Sequence, residues 1–193
     1  MIKKTFSHLK KLIYTIYYSY IRRDNVLFAR KLGVSIGSGC KILANPISVF
    51  GTEPWLIRIG NNVEITGSVS FVNHDGAVWL ARHLYDEYKD ADIFGSIVVG
   101  DNVFIGIRTI ILPGVVIGDN VIIGAGSVVS KNLDSNSVYA GVPARKICTI
   151  DEYITKHASS IVHTKNMTQK QKEKWLRENR KELFLDKCET EKI

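Results

Sequence analysis

The sequence predicts an all-β solenoid built from triangular coils of parallel strands, and three observations predict it. From Val99 the chain divides without remainder into the hexads VGDNVF, IGIRTI, ILPGVV, IGDNVI, IGAGSV and VSKNLD. An aliphatic residue opens each hexad (Val99, Ile105, Ile111, Ile117, Ile123, Val129), and Val103, Thr109, Val115, Val121, Ser127 and Leu133 stand fifth. Identical GDNV quartets begin at Gly100 and Gly118, three hexads apart. A period of six is neither the helical 3.6 nor plain strand alternation. It fits a short strand followed by a turn, three times per coil, with the aliphatic positions facing a narrow shared core. β-Branched residues suit the strands and glycine eases the turns. A β-sandwich expects turn signals about every 8–12 residues instead.

The elements follow in chain order. In residues 2–21, Ile2, Phe6, Leu9, Ile13, Ile16 and Tyr20 form a stripe at helical spacing. Lys3, Lys4, Lys10, Lys11, Arg22 and Arg23 flank it, so residues 1–31 read as a basic amphipathic arm. The arm is expected to cap the first open edge of the solenoid. The competing reading is a helix lying on a membrane surface, with cations beside anionic headgroups. The hexad rhythm begins with IGSGCK and ILANPI, resumes as IGNNVE, ITGSVS and FVNHDG, and breaks between Phe71 and Val99. The solenoid therefore spans residues 32–150, interrupted by a loop near 77–92 that is longer than ordinary connections and so expected to be functional. Residues 151–193 form a helical tail, with a helix over 168–186 and Thr168 as its N-cap.

Composition narrows the function classes. The chain's 193 residues and 45% hydrophobic content suit one globular domain with appendages. Three cysteines without CxxC spacing indicate neither a disulfide framework nor a thiolate zinc site, and Cys40 fits as a small core residue. The apolar run from Leu12 is too short to span a bilayer, which predicts a cytoplasmic protein at most peripheral to the membrane. The net charge of +7 is unevenly placed: residues 1–31 carry eight Lys/Arg against one acid, and residues 32–145 carry seven against ten. The recognition fold itself is mildly acidic, which argues against a nucleic-acid partner.

The hexads, ending in AGVPARKI (Ala140–Ile147), resemble the acetyl-CoA-dependent hexapeptide-repeat acyltransferases. Within that family, EPWLIRIGNNVEITGSVSFVNHDG (Glu53–Gly76) looks most like the O-acetyltransferases of sugars and surface polysaccharides, related to the maltose and galactoside acetyltransferases. The resemblance implies a left-handed parallel β-helix, a homotrimer with active sites between subunits, and acetyl-CoA as donor with no metal.

Moving an acetyl group from a thioester to a hydroxyl needs a base, and imidazole is the side chain best matched to that proton near neutrality. His8, His157 and His163 lie in the appended arms, leaving His74 at the root of the loop and His83 within it. His74 sits on a rigid coil and matches the family's catalytic His, although Asp75 follows it where the maltose enzymes have Pro. Adjacent side chains on extended backbone point to opposite faces, so a backbone carbonyl or a carboxylate from elsewhere is expected to orient the ring. By resemblance, Ile107 and Ala125 match contacts to the pantetheine arm. Ser130, Lys131 and Arg145, with Lys146 beside them, match the phosphate and adenine end. The backbone N–H of Gly106 or Ile107 is a candidate oxyanion donor.

Glu53, Asn73, Asp75, Trp79 and His83 are candidates for the acceptor side, Trp79 by stacking on a sugar face and Glu53 by binding a hydroxyl. Other acceptors stay open: a nucleotide-linked amino sugar or a streptogramin-type antibiotic. So do two other classes, a non-catalytic scaffold and a zinc carbonic anhydrase, although the latter needs three His ligands and the solenoid offers two.

Overall fold

The computed structural model describes residues 12–184. The chain divides into a compact unit up to Ile154 and a smaller one from Thr155.

Three sheets build the first unit. One contains β1 (Ser35–Ile36), β3 (Ile57–Ile59), β6 (Ile97–Val99) and β9 (Val116–Ile117). The second contains β2 (Lys41–Ile42), β4 (Glu64–Ile65), β7 (Val103–Ile105), β10 (Val121–Ile123), β12 (Ser137–Ala140) and β13 (Arg145–Thr149). The third contains β5 (Ser70–Phe71), β8 (Ile110–Ile111) and β11 (Val128–Val129). All pairings between these strands are parallel except β12 with β13, which closes the end of the second sheet. Val98 pairs with Val116, Val103 with Val121 and Ile110 with Val128, so one coil advances by three hexads on every face. These three parallel sheets are consistent with a left-handed β-helix. Roughly a third of the described residues are helical, more than an all-β description suggests.

All twelve first and fifth positions from Val99 to Leu133 are buried. Each fully buried aliphatic side chain contributes about 1.5–3 kcal/mol relative to exposure, and stacking adds them into one continuous core. The two polar members are satisfied: the Thr109 hydroxyl donates to the Gly106 carbonyl at 2.7 Å and the Ser127 hydroxyl to the Gly124 carbonyl at 2.6 Å. Cys40 is half-buried and packs against the core edge.

The repeated glycine has a different reason from the one the sequence suggests. Asn62, Asn102, Asn120 and Asn136 take the left-handed conformation, with φ of 55–57°. Their amides form a ladder, Asn62 to Asn102 at 3.2 Å, Asn102 to Asn120 at 2.9 Å and Asn120 to Asn136 at 2.8 Å. Gly100 is needed for clearance: a Cβ there would lie 2.3 Å from an Asp119 carboxylate oxygen and 2.8 Å from the Gly118 carbonyl carbon. Gly100→Ala is therefore expected to destabilise the fold by about 1–3 kcal/mol through overpacking, read as a lowered midpoint in thermal unfolding. An unchanged midpoint would show that the coils separate freely.

The solenoid's first edge is covered by helix α1 (Asn25–Leu32). Asp24 caps it by accepting from the Leu27 N–H at 2.8 Å, and Gly33 ends it at φ 114°. Phe28 and Ala29 are fully buried, and Arg30 donates to the carbonyls of Ile36 and Gly37. Within the 1–31 arm it is therefore α1, rather than Ile13 and Ile16 of the stripe, that covers the edge. Ile13 and Ile16 of that stripe are exposed, while Ile2, Phe6 and Leu9 lie outside the described residues.

The excursion is an ordered hairpin. Ser70 pairs with Ile110, whereas Ile110 pairs with Val128 by the regular coil step, so the extra length of the earlier coil is the inserted loop. Helix α2 (Val78–Leu84) occupies the outward limb, and the Arg82 side chain ties it to Ala91 and Asp92 on the return. The two limbs meet as antiparallel backbone: His74 bridges Phe94, the Asp75 N–H donates to Ile93 and the Gly95 N–H to Asn73, both at 2.9 Å.

In the second unit, helix α3 (Gln169–Asn179) begins at Thr168 with a full capping box to Gln171. It stops before residue 186 because Arg180 leaves helical geometry, at φ −140°, and pairs with Glu182.

Candidate active site

His74 and Glu53 meet at one corner of the solenoid. Glu53 stands at the start of one coil, just before β3, and His74 at its end, just after β5. Pro54 opens a short 3-10 turn that turns the chain at Glu53, and the Glu53 carbonyl accepts from the Leu56 N–H at 3.0 Å. The buried Asn73 amide donates to the same carbonyl at 2.6 Å. Asn73 thereby fixes the segment carrying Glu53 while its own carbonyl anchors the returning loop.

The side chains complete the pair: His74 Nδ1 lies 2.9 Å from Glu53 Oε2. Thr52 donates its hydroxyl to the same oxygen at 2.7 Å. Desolvation raises the Glu53 carboxyl, but the hydrogen bonds from Thr52 and His74, together with the His74 charge, outweigh it and hold the group below the ordinary carboxylate range. Glu53 is therefore ionised near neutrality and only accepts, so His74 Nδ1 must carry the proton. In the neutral ring Nε2 is then the nitrogen without a proton. The His74 side chain is 47% exposed against 18% for Glu53, so the carboxylate is sheltered and the imidazole ring is open.

The other acceptor-side candidates separate. Asn73 is 1% exposed and its amide donates to the Glu53 carbonyl, so it lies beneath the pair rather than on the open surface. Asp75 accepts from the Ala77 N–H at 2.8 Å, a turn that starts α2, and this accounts for a residue the sequence left unexplained. Glu53 faces His74, a partnership that the sequence reading did not assign. Trp79 and His83, one helical turn apart on α2, are tied to each other: the rings lie 4.3 Å apart and His83 Nδ1 is 2.7 Å from the Trp79 carbonyl.

The donor-side candidates lie along the later coils. Gly106 is buried; its N–H donates to Ile123 at 2.8 Å and its carbonyl accepts from Thr109. Gly106 thus serves close coil packing and has no free N–H for an oxyanion or a ligand. Ile107 and Ala125 are exposed at one stacked corner, joined by the Gly126 N–H donating to the Ile107 carbonyl at 2.8 Å. Lys131, Arg145 and Lys146 line one cavity of about 350 Å³ with Asp134 and Tyr139. Ser130 is exposed next to it in sequence and does not line it. Among the described residues no three His, Cys, Asp or Glu side chains converge as a metal site would require.

Residues 96–131 match the family model described as "Bacterial transferase hexapeptide (six repeats)". Over 168 residues the chain is 45% identical to "Protein CapG" of Staphylococcus aureus, covering 87% of this chain and 94% of that one. It is 30% identical to the "Putative acetyltransferase YvoF" of Bacillus subtilis, covering 70% of this chain and 72% of that one. The chain belongs to the hexapeptide-repeat acetyltransferase family. It is accordingly a transferase of acetyl groups. It is also 32% identical to the galactoside O-acetyltransferase of Escherichia coli, over 61% of this chain and 58% of that enzyme. Among solved structures, a maltose O-acetyltransferase of Clostridium difficile shares the fold with a TM-score of 0.52 at 24% identity, covering 75% of this chain and 84% of that one. A hexapeptide-repeat acetyltransferase of Vibrio cholerae complexed with acetyl coenzyme A shares it with a TM-score of 0.53 at 22% identity, covering 72% and 82%.

Proposed function

We propose that this protein transfers the acetyl group of acetyl-CoA to a hydroxyl of a sugar or surface-polysaccharide precursor, with His74 as general base and no acyl-enzyme. The observation that carries the reading is the 2.9 Å contact between His74 Nδ1 and Glu53 Oε2, which orients an exposed ring and, in neutral imidazole, puts the proton on Nδ1 and the lone pair on Nε2. As the acceptor oxygen attacks the thioester carbonyl, Nε2 takes the hydroxyl proton, and Glu53 stabilises the imidazolium that forms. The oxyanion is placed against the N–H of Ile107, the remaining candidate once Gly106 is committed. Collapse breaks the carbon–sulfur bond and expels the thiolate, which regains the proton from His74. The products are the acetyl ester and CoA, and the base returns to its starting state.

The donor is assigned to the corner of Ile107 and Ala125 and the cavity of Lys131, Arg145 and Lys146, whose three cations suit phosphates. The exposed Trp79–His83 pair is assigned to a sugar face. The galactoside O-acetyltransferase likeness favours a hydroxyl acceptor. The reading also takes the coils as left-handed and the assembly as a cytoplasmic homotrimer with active sites between subunits, as the family resemblance implies.

The test is thiol release from acetyl-CoA against a panel of sugars, with mass spectrometry of the product. The expected outcome is an acetyl ester formed in step with free thiol. Acetyl-CoA binding without turnover on any acceptor, or no binding at all, would favour the scaffold reading. Lys131→Ala combined with Arg145→Ala is expected to raise KM for acetyl-CoA while leaving kcat near wild type, because each lost charged hydrogen bond is worth about 1.5–3 kcal/mol of uniform binding.

A further inference from the structure

Residues 12–21 present two apolar faces, and among the described residues only one is used by the fold. Tyr18 stacks on Phe28 with ring centroids 5.6 Å apart, and Tyr14 meets the same ring edge-on at 6.5 Å. Phe28 is itself fully buried in the helix that closes the solenoid edge. The opposite face carries Leu12, Ile13, Ile16, Tyr17 and Ile21, all between 42% and 68% exposed. Among the described residues nothing covers it. Because α1 already protects the solenoid edge, capping leaves this stripe without a task.

Charge selects the occupant. Residues 1–31 carry Lys3, Lys4, Lys10, Lys11, Arg22, Arg23, Arg30 and Lys31 against Asp24 alone. Arg30 is engaged with backbone carbonyls of the solenoid and Asp24 with the cap of α1. A second copy of the chain on this face would set one basic arm against another, and like charges at that separation repel. A nucleic-acid backbone would meet the cations but leave the Leu and Ile side chains in water. An anionic bilayer surface satisfies both groups at once, taking the aliphatic side chains below the headgroups and the cations among the phosphates. Among the described residues no helix is long and apolar enough to cross a membrane.

We propose that the N-terminal arm binds anionic lipid surfaces through Leu12, Ile13, Ile16, Tyr17 and Ile21, with Arg22 and Arg23 at the headgroup level. The proposal concerns where the protein works and does not depend on which acceptor it acetylates. The experiment is sedimentation of the full-length protein with vesicles of phosphatidylcholine alone and of phosphatidylcholine mixed with phosphatidylglycerol. Binding to the mixed vesicles, weakened by added salt, is expected. Ile13→Glu with Ile16→Glu, and separately Arg22→Glu with Arg23→Glu, are each expected to lower that binding about tenfold or more. Both double variants should keep the wild-type melting temperature, because the altered side chains face solvent. No binding to the mixed vesicles, equal binding to both compositions, or variants that bind as well as wild type would overturn the proposal. Ultracentrifugation in which Ile13→Glu with Ile16→Glu breaks up an oligomer would also overturn it, assigning the face to self-contact.

Discussion

His74→Gln is expected to lower kcat/KM for acetyl transfer by roughly 10²–10⁴-fold, the usual contribution of a positioned general base. The loss falls on kcat, since in the proposed mechanism Nε2 meets the acceptor proton in the transition state and no donor-side group touches it. The affinity for acetyl-CoA, measured by calorimetry, should stay within about twofold of wild type. Stability should change little, because the ring is half-exposed and makes one side-chain hydrogen bond. His83→Gln separates the two histidines: its ring is turned toward the Trp79 carbonyl, so the substitution should affect acceptor KM and leave the base intact. Full activity in His74→Gln, or loss of kcat confined to His83→Gln, would move the role elsewhere.

Glu53→Gln is expected to cost roughly 10- to 150-fold in kcat, the rate equivalent of one charged hydrogen bond worth about 1.5–3 kcal/mol. A glutamine amide both donates and accepts, so it no longer dictates which ring nitrogen is protonated. It also removes the charge that stabilises the imidazolium. The effect is smaller than loss of the base itself because Nε2 remains available in a fraction of molecules. A second consequence concerns acid. The Glu53 carboxyl is lowered in the folded protein from an ordinary value of 4.5, so its ionised form contributes stability above that pH. The contribution is lost as pH falls through the lowered value. Glu53→Gln lacks it, and the fall in melting temperature between neutral pH and about pH 3 should be shallower in the variant.

Much of the fold was legible because the solenoid core repeats one local rule. Every aliphatic residue from Val99 to Val129 at the first hexad position is buried, and a regular coil advances by the three hexads that the two GDNV quartets suggest. The glycines were legible as glycines but not for their cause. Gly100 answers to Gly118 and Asp119 on the next coil, a whole turn of the solenoid further along the chain and beyond the reach of local turn rules. The arm is legible only in part for a related reason. Spacing identifies an apolar stripe but not what covers it, and α1 with Phe28 occupies the edge the stripe was expected to close.

In the site, His74 stood out at the break in rhythm, but its partner did not. Glu53 lies a little over one coil upstream, and only the coil length makes that a neighbouring position: one turn of the solenoid returns the chain to the same corner. An acidic residue about one coil before a loop-root histidine was the usable sign. Asn73 gave no such sign, since its value lies in a hydrogen bond to the carbonyl of Glu53. Asp75 follows the same logic, holding the first turn of α2 where the maltose enzymes have proline.

The proposed base requires one tautomer of the neutral His74 ring, and ¹⁵N NMR of the histidine-labelled protein near neutral pH reads it directly. The His74 resonance should show a protonated Nδ1 and a bare Nε2 in the wild type, giving way to a mixture in Glu53→Gln. A wild-type ring protonated on Nε2 would contradict the proposed base, because that nitrogen would then have no lone pair for the acceptor proton.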